Sequence, residues 1–139
     1  YLRGGFDRQY PDHLPPIPQV GTAEDLRKLI ETCGNCGHLF MPYTNPTWWC
    51  INPTGPTFEQ HGEAPLARDL EGRVYAESYG ATTTQGYTTC PWHPAVREAN
   101  AAIRREFTGR YPVDVLFQDQ VGARRAPWDT NPASPRNHT

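Results

Sequence analysis

Asp119 is the residue whose position in this sequence most favours a chemical role. It lies between Gln118 and Gln120, at the end of the apolar, β-branched run over residues 113–120. Such a run is typical of a buried strand, and a strand-end carboxylate can act as a nucleophile, a general base or a metal ligand. The alternative is an aspartate that only caps the next loop. Asp114 lies near the start of the same run, so we predict a structural role for it.

Aromatic and hydrogen-bonding side chains are concentrated in the loops predicted for the same end of the strands. They are Tyr43, Asn45, Trp48, Trp49, Trp92 and Trp128. Indole faces stack on the C–H faces of sugars, while amides and carboxylates bind sugar hydroxyls. The alternative for each ring is packing against its neighbours, but the group as a whole favours a carbohydrate site.

The four cysteines are weaker evidence for a functional site. Cys33 and Cys36 have the spacing of half a zinc site, but no second paired Cys/His motif exists to complete a zinc-dependent structural domain. Cys33 also lies on the apolar face of a predicted helix, which favours a buried thiol, then a disulfide, then a metal ligand. Cys50 and Cys90 flank a long loop, and a bridge between them would close about 40 residues. We therefore predict no metal and no cofactor.

Two helices are predicted to position these loops. The first begins after Thr22, an N-cap with Asp25 as its capping-box partner, and ends at Gly34 or Gly37. Its apolar stripe is Leu26, Leu29, Ile30 and Cys33. The second helix begins at Pro94, which suits a first helical turn. Its stripe is Val96, Ala99, Ile103 and Phe107, and Gly109 is expected to end it.

A strand is predicted after each helix, over residues 38–43 and 113–120, and residues 73–79 alternate weakly enough to add a third. A strand–helix–strand unit predicts parallel strands joined by a right-handed crossover. Two strands cannot close a barrel or cover both faces of a parallel sheet. The fold class is therefore α/β, either as a piece of a larger barrel or with further strands in the long connection over residues 44–92.

Composition limits the classes of function. The 139 residues fit one domain, and 12 glycines with 15 prolines predict many loops. A net charge of -2 without a Lys/Arg cluster argues against a nucleic-acid surface. No apolar run is long enough to predict a membrane span. The first residues lack the features of a signal peptide, so any targeting signal is expected outside this sequence, and a secreted or periplasmic location stays open.

Several blocks of the sequence together resemble an uncharacterised, domain-of-unknown-function family that is grouped with TIM-barrel glycoside hydrolases. That family is distantly similar to α-galactosidases and endo-α-N-acetylgalactosaminidases. The blocks are residues 5–7 (GFD), 10–15 (YPDHLP), 41–49 (MPYTNPTWW) and 113–124 (VDVLFQDQVGAR). The resemblance runs nearly end to end, and the Phe-Gln-Asp-Gln block is its most specific part.

The resemblance implies a partial (β/α)8 TIM barrel over residues 1–139, with residues 44–92 as a long ordered loop at its C-terminal face. It implies that Asp119 is the catalytic nucleophile and that Asp12, Asn45, Trp48 and Arg124 bind substrate. The local pattern adds Tyr43, Trp49 and Gln118. The acid/base carboxylate of such enzymes has no counterpart here.

The predicted function is therefore that of a glycoside-hydrolase-like catalytic domain that acts on α-linked glycosides as part of a longer chain. The isolated chain is expected to be inactive. Its predicted partners are a carbohydrate and either the remainder of the barrel or a second copy, with no nucleic acid and no membrane. The alternative is a non-catalytic carbohydrate-binding or interaction module that uses the Trp/Tyr face.

Overall fold

The computed structural model describes residues 9–51, 54–78, 85–125 and 127–135. It shows a mixed α/β arrangement with small sheets, and the block at residues 5–7 lies outside the described residues. The helices in the described part are α1 (Ala23–Asn35), α2 (Pro56–His61) and α3 (Pro94–Arg105), and a π-helical turn (Glu106–Arg110) continues α3. The strands there are β1 (Tyr43–Thr44), β2 (Trp48–Cys50), β3 (Ala76–Glu77), β4 (Gly86–Thr88) and β5 (Phe117–Gln118).

Helix α1 begins where its capping residues predict. The Thr22 hydroxyl accepts a hydrogen bond from the Asp25 N–H at 3.1 Å, and the Asp25 carboxylate accepts one from the Thr22 N–H at 2.9 Å. Leu26 and Ile30 are buried, but Leu29 is largely exposed. The buried face of α1 is therefore narrower than the predicted stripe, because only residues one full turn apart reach the core.

Helix α3 also begins as predicted, at Pro94, with the His93 ring accepting a hydrogen bond from the Ala95 N–H at 3.2 Å. Gly109 does not end it in the predicted way, because the chain widens into the π-helical turn before leaving the helix. That turn buries Phe107 completely, next to Tyr111 and against Leu26 and Ile30 of α1. This cluster is the core that joins the two helices.

Strands β1 and β5 pair in parallel, as the strand–helix–strand order predicts. Tyr43 is opposite Phe117 and Thr44 is opposite Gln118. The prediction of a buried strand over residues 113–120 is wrong in two respects. The paired part of that run is two residues long, and Val115 and Phe117 are exposed. Among the described residues, β1 is the only strand that pairs with β5.

The long connection between β1 and α3 contains an antiparallel sheet in the order β2-β4-β3. Trp49 of β2 is opposite Tyr87 of β4, which is opposite Ala76 of β3. Strand β3 falls inside the weakly alternating run at residues 73–79. The connection is therefore a folded excursion, and Trp48 of its sheet packs against Tyr10 from an earlier part of the chain.

The cysteines remain thiols, and no disulfide joins them. The predicted bridge between Cys50 and Cys90 is therefore absent. Both residues are buried, whereas Cys36 is exposed and Cys33 is half-buried. Within the described ranges, no three His, Cys, Asp or Glu side chains are grouped to hold a metal ion. No helix of the described residues has the length and apolar character needed to cross a membrane.

We expect Gly86→Ala to lower the free energy of unfolding by about 2 kcal/mol, a typical cost of overpacking. A Cβ at Gly86 would lie 2.4 Å from two ring carbons of Trp48 and 2.4 Å from the Trp49 carbonyl oxygen. Gly34→Ala is the matched control, because a Cβ there meets nothing within 4 Å and alanine favours the helix. Urea unfolding measures both variants. Equal midpoints for the two would contradict the tight contact at Gly86.

We expect the purified chain to self-associate through the face of the parallel pair. Exposed strand edges and apolar patches favour pairing with another chain. Met41, Val115 and Phe117 are exposed together at this pair. Sedimentation velocity should show species larger than a monomer, and Val115→Lys should shift them toward the monomer. Val20→Lys, an exposed position before α1, is the control. A wild-type chain that stays monomeric at every concentration would contradict this expectation.

Candidate active site

Asp119 lies where the two parallel strands end. Its N–H donates to the Thr44 carbonyl at 2.8 Å, which extends the β1–β5 pairing by one residue. The Tyr43 hydroxyl donates to Asp119 Oδ2 at 2.6 Å, and the Gln120 N–H donates to Oδ1 at 2.8 Å. Each carboxylate oxygen therefore accepts one hydrogen bond, and the two bonds fix the orientation of the side chain.

Gln120 has an unusual backbone conformation directly after this carboxylate. Its φ of 68° lies in the left-handed region, which few non-glycine residues adopt. Such strain costs on the order of 1–3 kcal/mol and is concentrated at functional sites. The sharp turn leaves the Gln120 N–H directed at the side chain of Asp119.

Tyr43 is the second member of the cluster. Its ring stacks on Phe117, with ring centroids 5.6 Å apart and planes at 27°. Burial raises the pKa of Tyr43 above its usual value, and the hydrogen bond to Asp119 raises it further, while hydrogen bonds with Tyr10 and Asn45 act in the opposite direction. The phenol therefore stays protonated at neutral pH and remains a donor to Asp119.

A chain of hydrogen bonds connects this cluster to the antiparallel sheet. Asn45 Oδ1 accepts from the Thr47 N–H at 3.1 Å and from the Thr47 hydroxyl at 2.9 Å. The Arg124 Nε–H donates to the same hydroxyl at 3.0 Å. Arg124 also forms a two-pronged ion pair with Glu77 and donates to the Thr88 hydroxyl at 3.1 Å. With its side chain only 15% exposed, Arg124 anchors the loop after Asp119.

Asp12, a predicted substrate-binding residue, caps helix α2 from a distant part of the chain. Its Oδ2 accepts the Thr57 N–H at 3.0 Å and its Oδ1 accepts the Thr57 hydroxyl at 2.5 Å. Gly55, the N-cap of α2, has no side chain to do this. Both oxygens of Asp12 are therefore engaged in holding the excursion, and a role in ligand binding stays a prediction.

The four tryptophans divide into a buried pair and an exposed pair. Trp48 and Trp49 are 6% and 0% exposed, with Trp48 packed edge-on against Tyr10 at 5.5 Å. Neither presents a ring face to solvent for the predicted stacking on a sugar. Trp92 and Trp128 are 55% and 67% exposed. The exposed pair each follow a proline in the sequence, a signal of loop placement that could have separated them from the buried pair.

The structure thus brings together Asp119, Tyr43 and Asn45, with Arg124 linked to them through Thr47. Gln118 is exposed at the end of β5 beside them. Trp48 and Trp49 are in the core, and Asp12 is at α2. The sequence interpretation missed Thr47, whose short polar side chain gave no sign of joining Asn45 to Arg124.

Comparison with known proteins adds a family and a fold. A family model described as "Domain of unknown function (DUF6259)" matches residues 2–137. No curated protein matches the sequence. Among solved structures, the ligand-free alpha-N-acetylgalactosaminidase NagBb from Bifidobacterium bifidum matches with a TM-score of 0.71 and 20% sequence identity. The match covers 95% of this chain and 21% of that chain, so this chain spans about a fifth of the enzyme's length.

We expect that in Tyr43→Phe the free energy of unfolding falls less steeply with rising pH in alkaline solution than it does in the wild type. A tyrosine whose pKa is higher in the folded than in the unfolded state stabilises the fold fully below the unfolded value of about 10. That stabilisation is lost as the pH rises from there toward the folded pKa. Urea unfolding at about pH 9 and pH 11 measures the slope, with Tyr87→Phe as a control that removes a phenol from β4. Identical slopes for wild type and Tyr43→Phe would contradict the raised pKa.

Proposed function

The chain belongs to the DUF6259 family, and we propose that it forms part of the active site of a glycoside hydrolase that acts on α-linked glycosides. One observation carries the proposal. Asp119 is an oriented carboxylate at the carboxyl ends of two parallel strands, in a chain whose fold matches a segment of an alpha-N-acetylgalactosaminidase. The structural similarity by itself suggests a carbohydrate-related role.

In this proposal the chain is one sector of a (β/α)8 barrel. The order β1, α3, β5 with parallel pairing is the repeating unit of such a barrel, and catalytic residues in barrels follow the strands at their carboxyl ends. The exposed side chains of Val115 and Phe117 also fit this arrangement, since further barrel elements would cover them. Residues 44–92 would then be an ordered excursion on the catalytic face.

The proposed role of Asp119 is nucleophilic. Its carboxylate oxygen would form a bond to the anomeric carbon while the bond to the leaving oxygen breaks, and a second carboxylic acid would protonate that oxygen. Water activated by the second group would then release the sugar. The hydrogen bonds from Tyr43 and from the Gln120 N–H keep the Asp119 side chain oriented, and each oxygen retains a lone pair for attack.

The second carboxylate is proposed to come from another part of the active site. Three other carboxylates in the described residues are bound to different partners. Asp12 binds Thr57, Glu77 binds Arg124, and Asp114 accepts the Phe40 N–H at 3.1 Å. Under this proposal the isolated chain is expected to be inactive.

The second candidate function is a carbohydrate-binding module without catalysis. The exposure of Trp92 and Trp128 favours it, because these rings can stack on a sugar without any contribution from Asp119. Catalysis requires the Asp119 carboxylate, whereas sugar stacking does not. Substitution of Asp119 therefore separates the two candidate functions.

We expect Asp119→Asn, in the full-length polypeptide that contains this chain, to lower kcat for p-nitrophenyl α-N-acetylgalactosaminide or α-galactoside by at least about 10³-fold. The amide keeps the shape of the side chain but cannot act as a nucleophile. Asp114→Asn is the matched control on the same run and should stay within about twofold of wild type.

A second measurement distinguishes a nucleophile from a base. In Asp119→Gly, added azide should restore turnover and convert an α-glycoside to the β-glycosyl azide, because an anion that replaces a missing nucleophile attacks once and inverts the anomeric carbon. Azide that replaces a missing base would attack the glycosyl-enzyme and give the α-azide. Near-normal turnover in Asp119→Asn would reject the catalytic proposal and leave the binding-module function.

A further inference from the structure

A groove with a volume of about 960 Å³ lies beside the Asp119 loop. Its walls are the segment after β4, the loop after β5, and residues 127–135 of the carboxyl-terminal segment. Trp92 and Trp128 line it and are the two exposed tryptophans of the described chain. A cavity of this size with aromatic walls is typical of a ligand site.

The groove is held open by an anchored carboxyl-terminal segment. The Asn131 side-chain amide donates to the carbonyls of Ala64 and Leu66 at 2.8 and 2.7 Å. The Tyr75 hydroxyl donates to the Trp128 carbonyl at 2.8 Å. These bonds fix the position of the backbone at Trp128, and therefore the position of its ring in the groove wall.

The lining of the groove also includes polar groups with unused hydrogen-bonding capacity. Thr89 is 3% exposed, and its hydroxyl has no hydrogen-bond partner in the described structure. Asp129 Oδ1 accepts the backbone N–H groups of Arg68 and Asn131. The Cys90 thiol lies beside this carboxylate, and burial, followed by Asp129, raises the pKa of that thiol to about 11.

We propose that this groove is a carbohydrate-binding subsite for sugar units beyond the one at Asp119, so that the protein recognises an extended neutral glycan. The inference rests on the proposed carbohydrate function. Sugar rings stack on indoles through their C–H faces, while polar side chains of the lining such as Gln120 and Arg125 can form hydrogen bonds with sugar hydroxyls. An apolar peptide side chain would cover the same rings but would leave those polar groups unsatisfied.

Charge and connectivity support the same ligand. Glu77 pairs with Arg124, and the remaining formal charges of the lining, those of Arg125 and Asp129, are opposite. The groove therefore carries no net formal charge, which suits a neutral glycan. Gln120 lines the groove and is bonded to the Asp119 carboxylate through its N–H. A glycan with its terminal sugar at Asp119 can therefore continue into the groove along one loop.

The test uses the whole 139-residue chain labelled with ¹⁵N and two probes, methyl α-N-acetylgalactosaminide and the blood-group A trisaccharide, which ends in α-linked N-acetylgalactosamine. We expect the trisaccharide to shift the indole N–H signals of Trp92 and Trp128. The signal of Trp49 should stay in place, because that ring is buried, and it reports that each variant is folded. The single sugar should cause the smaller shifts at Trp92 and Trp128.

Trp128→Ala and Trp92→Ala should each raise the Kd for the trisaccharide about three- to tenfold, the effect of losing one aromatic contact. Trp128→Phe should recover most of the affinity, and Met41→Ala, exposed outside the groove, should leave it unchanged. Asp119→Asn should leave both indole shifts in place in this chain, while in the full-length polypeptide it should abolish hydrolysis.

The failures of the two proposals are distinguishable. If neither indole signal moves with the trisaccharide, or if the alanine variants bind it as tightly as wild type, the subsite is rejected whatever Asp119→Asn does. If Asp119→Asn keeps full turnover while the indoles still shift, the catalytic proposal fails and the groove stands as a carbohydrate site.

Discussion

The parallel pairing of β1 with β5 positions both Tyr43 and Asp119. Four residues make this contact, and they join parts of the chain that are more than 70 positions apart. The pairing places Tyr43 opposite Phe117, so that the Tyr43 hydroxyl reaches Asp119 one step beyond the strand. Loss of the pairing would remove the Thr44–Asp119 backbone bond and the Tyr43–Asp119 bond together.

A second link holds the excursion against this pair. Arg124 follows Asp119 in the chain and binds Glu77 of β3, Thr88 of β4 and Thr47 beside β2. Removing one partner from a buried ion pair is costly, because the other charge is left without compensation. The loop that positions Asp119 is therefore oriented by the antiparallel sheet as well as by the strands.

The aromatic residues are used in two different ways. Trp48 and Trp49 are buried in the excursion, and Trp48 packs against Tyr10. Trp92 and Trp128 remain at the surface and line a groove next to the Asp119 loop. One group of tryptophans is thus buried while the other is available to a ligand.

The sequence by itself determined the features that arise from neighbouring residues. The capping box of Thr22, the start of α3 at Pro94 and the parallel order of β1 and β5 follow from local hydrogen bonding and chain connectivity. Only the tertiary structure decided which tryptophans are buried, that Asp12 caps α2, and that Val115 and Phe117 are exposed. These outcomes depend on contacts between residues far apart in the chain, because burial is a property of what packs against a side chain and not of the side chain's own type.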